Sequence, residues 1–154
     1  MDEVKTLRGA TAEAIKTLAV KYSIAPLTES PIETIFGASL SLLMEEALGD
    51  DFKVGPKCNA APFALVPQYN LACYRYDFAI CVGGEALVLI ECDGKDFHSS
   101  PEQIENDAEK DRTAIELGKR ILRFTGSMIN SHANLCAKEA VRALVLEGKR
   151  RGLA

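Results

Sequence analysis

No apolar run in this sequence comes near the ~20 residues that cross a membrane. The first ten residues, MDEVKTLRGA, lack the basic-then-apolar pattern of a secretory leader, so a cytoplasmic protein without membrane contact is expected. The five cysteines, at 58, 73, 81, 92 and 136, form no CxxC pair. That argues against a structural zinc site and against a disulfide framework; reduced side chains packing as small hydrophobes are expected. Basic charge is not in excess, since 18 Lys and Arg stand against 22 Asp and Glu. That balance argues against a purely electrostatic nucleic-acid coat. It does not exclude an enzyme that binds nucleic acid locally, because acidic metal ligands count toward the total. There is no internal repeat, low-complexity tract or linker, and 154 residues are most simply one domain.

What is present reads as alternating helices and strands. Residues 2–22 form an amphipathic helix with Val4, Leu7, Ile15 and Leu18 on one face, whose partner is either the core or another subunit. The segment APLTESP breaks it. Ser30, Pro31 and Glu33 carry the N-cap, first-turn proline and capping-box signature of a second helix, which runs to about Leu48 and stops at Gly49. Residues 50–61 read as loop. PFALVPQYN, CYRYDFAICV and ALVLIECD read as three strands, with Gly83-Gly84 turning the last two into a hairpin. SPEQ, Ser100 to Gln103, opens a helix ending near Gly118. KRILRFT is a fourth strand, and a last helix covers about 130–146, with a frayed basic end, GKRRGLA. The expectation is an α/β fold of order α-α-β-β-β-α-β-α. It has a mixed four-stranded sheet flanked by helices and a right-handed crossover between the last two strands.

The most apolar strand ends in Glu91 and Asp93. Strand alternation puts Leu87, Leu89, Glu91 and Asp93 on one face, and Val88, Ile90 and Cys92 on the other. Asp77 sits inside the preceding strand, where a carboxylate needs a partner. Either Arg75 or Arg123 pairs with it as a structural ion pair, or it joins Glu91. Carboxylates brought together need protons, cations or a metal, and hard oxygen donors at an open site suit Mg²⁺ or Mn²⁺. Each residue also has a plainer reading: CDG as turn chemistry, His98 as a loop residue, Glu33 as a capping-box residue, Asp111 as a solvated helix charge.

The run from PQYNLACYRYDFAI through ALVLIECDGKDFHSSPEQIENDAEKDRTAIELGKRILRFTG resembles the very-short-patch-repair-like branch of the PD-(D/E)XK nuclease superfamily. Its motifs are the Asp in YRYDFAI, the ECDG strand end, a following His, the helix with KDR, and LGKRILRF. The resemblance spans roughly residues 30–125. It implies a restriction-endonuclease-like core over about 30–146, with helix 2–22 as an accessory. Asp77 resembles the central metal-binding aspartate, and Glu91 the acidic residue of the (D/E)XK half-motif. Asp93 stands where many members carry Lys. His98 resembles a second active-site His, Glu33 a helix-borne Glu, and Asp111 the Asp that orients the His. Gln103 is either an accessory polar residue or half of a capping box.

The implied activity is Mg²⁺- or Mn²⁺-dependent DNA endonuclease hydrolysis. Asp77, Glu91 and Asp93, with a backbone carbonyl near Cys92, would hold metal, and His98 would activate water. Arg75, Lys95, Lys110, Arg112, Lys119, Arg120 and Arg123, with the tail Lys149 to Arg151, would touch phosphate. The motif lysine two residues after Glu91 is missing, so its role shifts to Lys95, Lys110 or His98. The structural zinc and the mismatch-wedging aromatics of the repair enzymes do not carry over. Competing readings are a catalytically inactive nuclease-fold subunit binding DNA or protein, and a small-molecule metallohydrolase. A homodimer or a partner protein supplying specificity fits the shortage of base-reading signals.

Overall fold

The computed structural model describes residues 2–94 and 100–153 of the chain. The order is α1 (Asp2–Ile24), α2 (Pro31–Leu48), β1 (Phe52–Val54), β2 (Phe63–Leu71), β3 (Tyr74–Val82), β4 (Glu85–Asp93), α3 (Pro101–Glu116), β5 (Arg120–Thr125) and α4 (Gly126–Arg150). One mixed sheet runs β1-β2-β3-β4-β5. Strands β2, β3 and β4 form an antiparallel meander; β1 lies parallel to β2, and β5 parallel to β4. The four-stranded expectation is corrected by β1, which falls in the segment read as loop. Three residues are too few to show alternation, and only the register Phe52–Val54 against Phe63–Leu65 makes them a strand.

Local signals place the elements. Ser30 caps α2 by accepting the Glu33 N–H, and α2 ends at Gly49, whose φ of 54° a side chain would resist. Ser100 and Gln103 form a complete, reciprocal capping box on α3. Gly83 and Gly84, both at positive φ, make the β3–β4 turn. The C-terminal basic end is not frayed, contrary to expectation. Glu147, buried on α4, accepts from Arg150 and Arg151; Arg151 also reaches Glu85 at 2.7 Å and donates to the Gly118 carbonyl. These bonds hold the Glu147 carboxyl down, to about 2, the Arg150 hydrogen bond contributing most.

The sheet separates two cores. Phe36, Leu40 and Met44 of α2, with Ile129, Cys136, Ala140 and Leu144 of α4, cover Leu65, Phe78, Ile80, Val88, Ile90 and Phe124. On the other face Ala114 of α3 covers Ala64, Val66, Tyr76, Ala79, Cys81 and Leu89. Two irregularities redirect side chains. A bulge where Ile80 opposes Val88 but Cys81 opposes Ala86 moves Leu87 to the α2/α4 core, against simple alternation. The second lies at Gln68, whose φ is 53°, opposite Asp77 in the β2–β3 register. Before it, Leu65 faces α2 and α4; beyond it, Tyr69 and Leu71 pack on the α3 side. Strand β3 inverts in step, with Tyr74 and Tyr76 on the α3 side and Phe78 and Ile80 on the other. Both strands change face at one pair of residues.

The cysteine expectation is also corrected. Cys58, in the loop after β1, bonds to Cys81 of β3, with Cα atoms 5.3 Å apart. Parallel pairing of β1 carries that loop back over the sheet, which no spacing in the sequence reveals. Cys73 is free and exposed; Cys92 and Cys136 are free and buried.

Candidate active site

Continuing the β3–β4 register from Phe78 opposite Ile90 puts Asp77 opposite Glu91. The row across the sheet is then Gln68, Asp77, Glu91 and Arg123, on four adjacent strands. Asp77 accepts the Cys92 N–H at 2.7 Å. It makes no ion pair among the described residues, because Arg75 is taken by Glu29 at 2.7 Å and Arg123 by other carboxylates. The structural ion-pair reading of Asp77 is therefore not what forms. Glu91 is buried and meets Lys110 of α3, Nζ to Oε1 at 2.6 Å. The same ammonium lies 4.8 Å from the Tyr76 ring centre, and the Tyr76 hydroxyl donates to the Lys110 carbonyl at 2.8 Å. Tyr76 thus fixes the turn of α3 that presents Lys110.

The electrostatics follow from burial. Loss of water, then the Glu91 charge, drives the Asp77 carboxyl up from 3.8 to about 7, against the Cys92 N–H that favours its anion. Glu91 is also raised, by burial first, while Lys110 pulls it back. With an ammonium on Glu91 and none on Asp77, a proton shared by the pair settles on Asp77. The Tyr76 hydroxyl is pushed up to about 12 by burial and by the Glu91 charge.

The other expected residues surround this pair without joining it. Asp93 is held by Arg123 at 3.3 Å, although burial still raises its carboxyl. Asp111 accepts from the Arg123 Nε at 3.1 Å and from its terminal nitrogen at 2.8 Å, so the side chain it orients is an arginine. Among the described residues no three or more His, Cys, Asp or Glu side chains gather into a group able to hold a metal ion. The three-carboxylate cluster of Asp77, Glu91 and Asp93 is therefore not assembled. Glu33 is buried and takes three donors: the Glu29 N–H at 3.0 Å, the Ser30 hydroxyl at 2.9 Å and the Gln68 amide at 2.8 Å. Its capping arm reaches the Glu29 N–H, one residue before the N-cap, and its charge also raises Asp77. His98 and Lys95 lie outside the described residues. Gln103 belongs to its capping box.

Sequence reasoning missed Gln68. Its backbone is left-handed, its amide nitrogen binds Glu33, and its Oε1 is buried with no hydrogen-bond partner among the described residues. The only signal was a polar residue inside an apolar strand. The basic candidates divide. Arg75, Lys110 and Arg123 engage acids near the pair, whereas Lys119 binds Glu85 at the other end of β4. Arg120, three residues before Arg123 on β5, pairs in register with Val88 and so lies ~10 Å from the Glu91 row. Arg112 and Arg120 are exposed and make no ion pair among the described residues.

Two carboxylates that share a single ammonium are a hard-oxygen donor pair. Mg²⁺ commonly takes one or two protein carboxylates and completes its shell with water and substrate phosphate. Asp77 and Glu91 fit that pattern. Comparison with family models, with curated proteins and with solved structures gave no significant match to this chain.

Proposed function

We propose that this chain is a Mg²⁺- or Mn²⁺-dependent DNA endonuclease with a restriction-endonuclease-like core, hydrolysing phosphodiester bonds at the Asp77–Glu91 pair. The observation that carries the reading is the pair itself. A half-buried Asp77 and a buried Glu91 face each other across β3 and β4, both raised, with one lysine from a third element on Glu91. Asp77 and Glu91 would hold the metal, which when bound supplies Lewis-acid stabilisation of the phosphate and a more acidic water. The chain's own residues do the rest. Lys110 stands where the missing motif lysine is needed and sets a positive charge beside the reacting phosphate. Tyr76 keeps that ammonium from swinging out. The Arg123 network holds Asp93 and Asp111 and braces α3 against β5. Arg112 and, farther along β5, Arg120 are the exposed cations on hand for DNA phosphates.

The inactive-subunit reading has one observation in its favour: Lys110, Arg123 and Arg75 are already neutralised by acids of the same chain. A cleavage assay separates the two. Supercoiled plasmid and single-stranded DNA are incubated with Mg²⁺, Mn²⁺ or EDTA, using wild type, Asp77→Ala and Glu91→Ala. Metal-dependent cutting lost in both variants is expected. Cutting that survives both removes the chemistry from this pair, and DNA binding without cutting selects the inactive subunit.

A further inference from the structure

The α1 helix turns its apolar face away from its own domain. Only Val20 and Ile24 of its 23 residues are buried. Glu13, Thr17 and Lys21 line the groove that α1 makes with α2 and the start of α4. The large apolar side chains lie elsewhere: Val4, Leu7, Ile15, Leu18 and Tyr22 are 72%, 68%, 62%, 54% and 78% exposed. At ~100° per residue they fall on one stripe with Thr11, roughly 160° around the helix from Val20 and Ile24. Val4 and Ile15, Leu7 and Leu18, and Thr11 and Tyr22 are each spaced by eleven residues, the period that keeps a nearly straight helix in register with a like helix. The core-or-subunit question left by the sequence is answered against the core.

We infer that α1 is a self-association helix and that its stripe is covered by α1 of a second copy of this chain. Charge supports a like partner. On the same wheel Glu3, Ala10, Ala14 and Lys21 flank one side of the stripe, and Arg8, Ala12 and Ala19 the other. Antiparallel pairing sets Glu3 against Lys21 of the second copy, and parallel pairing sets Glu3 against its Arg8, so either direction matches opposite charges twice by symmetry. The alanines on both flanks let two backbones approach. The five large side chains expose on the order of 600 Å² per chain, and with the flanks this approaches the ~800 Å² per partner of a standard interface. The stripe faces away from the groove-lining side, so the body of the domain does not block it. Pairing would also join two Asp77–Glu91 sites in one particle, though the inference does not depend on their chemistry.

Sedimentation equilibrium of the full chain from about 1 to 100 µM, metal-free, tests it. The wild type is expected to dimerise. Ile15→Glu and, independently, Leu7→Glu should raise the dissociation constant at least a hundredfold, with far-UV circular dichroism and thermal unfolding of the domain retained. Glu3→Lys should weaken the dimer several-fold. Restoration by Lys21→Glu assigns antiparallel pairing, and restoration by Arg8→Glu assigns parallel. A wild type monomeric throughout the range overturns the inference. So does a dimer indifferent to both glutamate variants, which would place the contact on another surface. None of these readouts requires cleavage activity, so failure here and failure of the nuclease reading are distinguishable.

Discussion

Replacing Asp77 with Asn should stabilise the metal-free protein at neutral and higher pH. The carboxyl is displaced from 3.8 to about 7, mainly by burial. Between those values the folded chain holds a proton that the unfolded chain has released. Stability therefore falls as pH rises through this window and levels off above it. Moving one carboxyl that far corresponds to ~4 kcal/mol, at ~1.4 kcal/mol per tenfold change in proton affinity. Asn keeps an oxygen to accept the Cys92 N–H and carries no charge to desolvate. The gap in unfolding free energy between Asp77→Asn and wild type should be near zero at about pH 4 and approach ~4 kcal/mol at about pH 8. In a domain this size that is roughly 10 °C in Tm. Urea titrations in EDTA across the range, followed by circular dichroism, measure the gap directly. Saturating Mg²⁺ should then raise the wild type toward the variant and leave the variant unmoved. A gap that stays constant from about pH 4 to 8 would refute the reasoning, because it would mean that Asp77 does not titrate differently in the folded chain.

Lys110→Met should abolish most metal-dependent cleavage. Because it strands the Glu91 charge, it should also cost ~3 kcal/mol above neutral pH, read by the same urea titration. Gly37→Ala should destabilise by about 1 kcal/mol despite better helix propensity, because the added carbon would meet the Phe78 ring at 2.9 Å and Ile24 at 3.2 Å; a stabilised variant in differential scanning calorimetry would show that these rings give way. Breaking the Cys58–Cys81 bond, whose partners are 23 residues apart, should cost ~3 kcal/mol of chain-entropy stabilisation, measured as the change in unfolding free energy for Cys58→Ser.

Much of the architecture was legible because it is written locally. The caps at Ser30 and Ser100, the Gly83-Gly84 turn and the apolar strands act over a few residues, and those elements form where the sequence places them. What escaped depends on distant partners. Strand β1 exists only through its pairing with β2. The Cys58–Cys81 bond depends on that same pairing, and the ordered C-terminal end depends on Glu85, 66 residues from Arg151. At the candidate site, Asp77 and Glu91 were legible as carboxylates in or at the end of apolar strands. Their division of labour was not, because Lys110 lies 19 residues beyond Glu91 and arrives on a separate helix. Asp93 and Asp111 both bind Arg123, a contact that only the β4–β5 register reveals.

The joint inversion at Gln68 and Asp77 has a consequence for how these strands tolerate change. In an ordinary strand, polar substitutions are accepted at every second position, with one parity from end to end. Here the parity of the α3-facing positions jumps: even before Gln68 and odd after it in β2, and even before Asp77 and odd after it in β3. A complete substitution scan should record this as a phase slip in both strands at the same height. Deleting one residue on either side would set half of a strand out of phase with its neighbour. The segments that carry Asp77 into place should thus accept many changes of residue and almost no change of length.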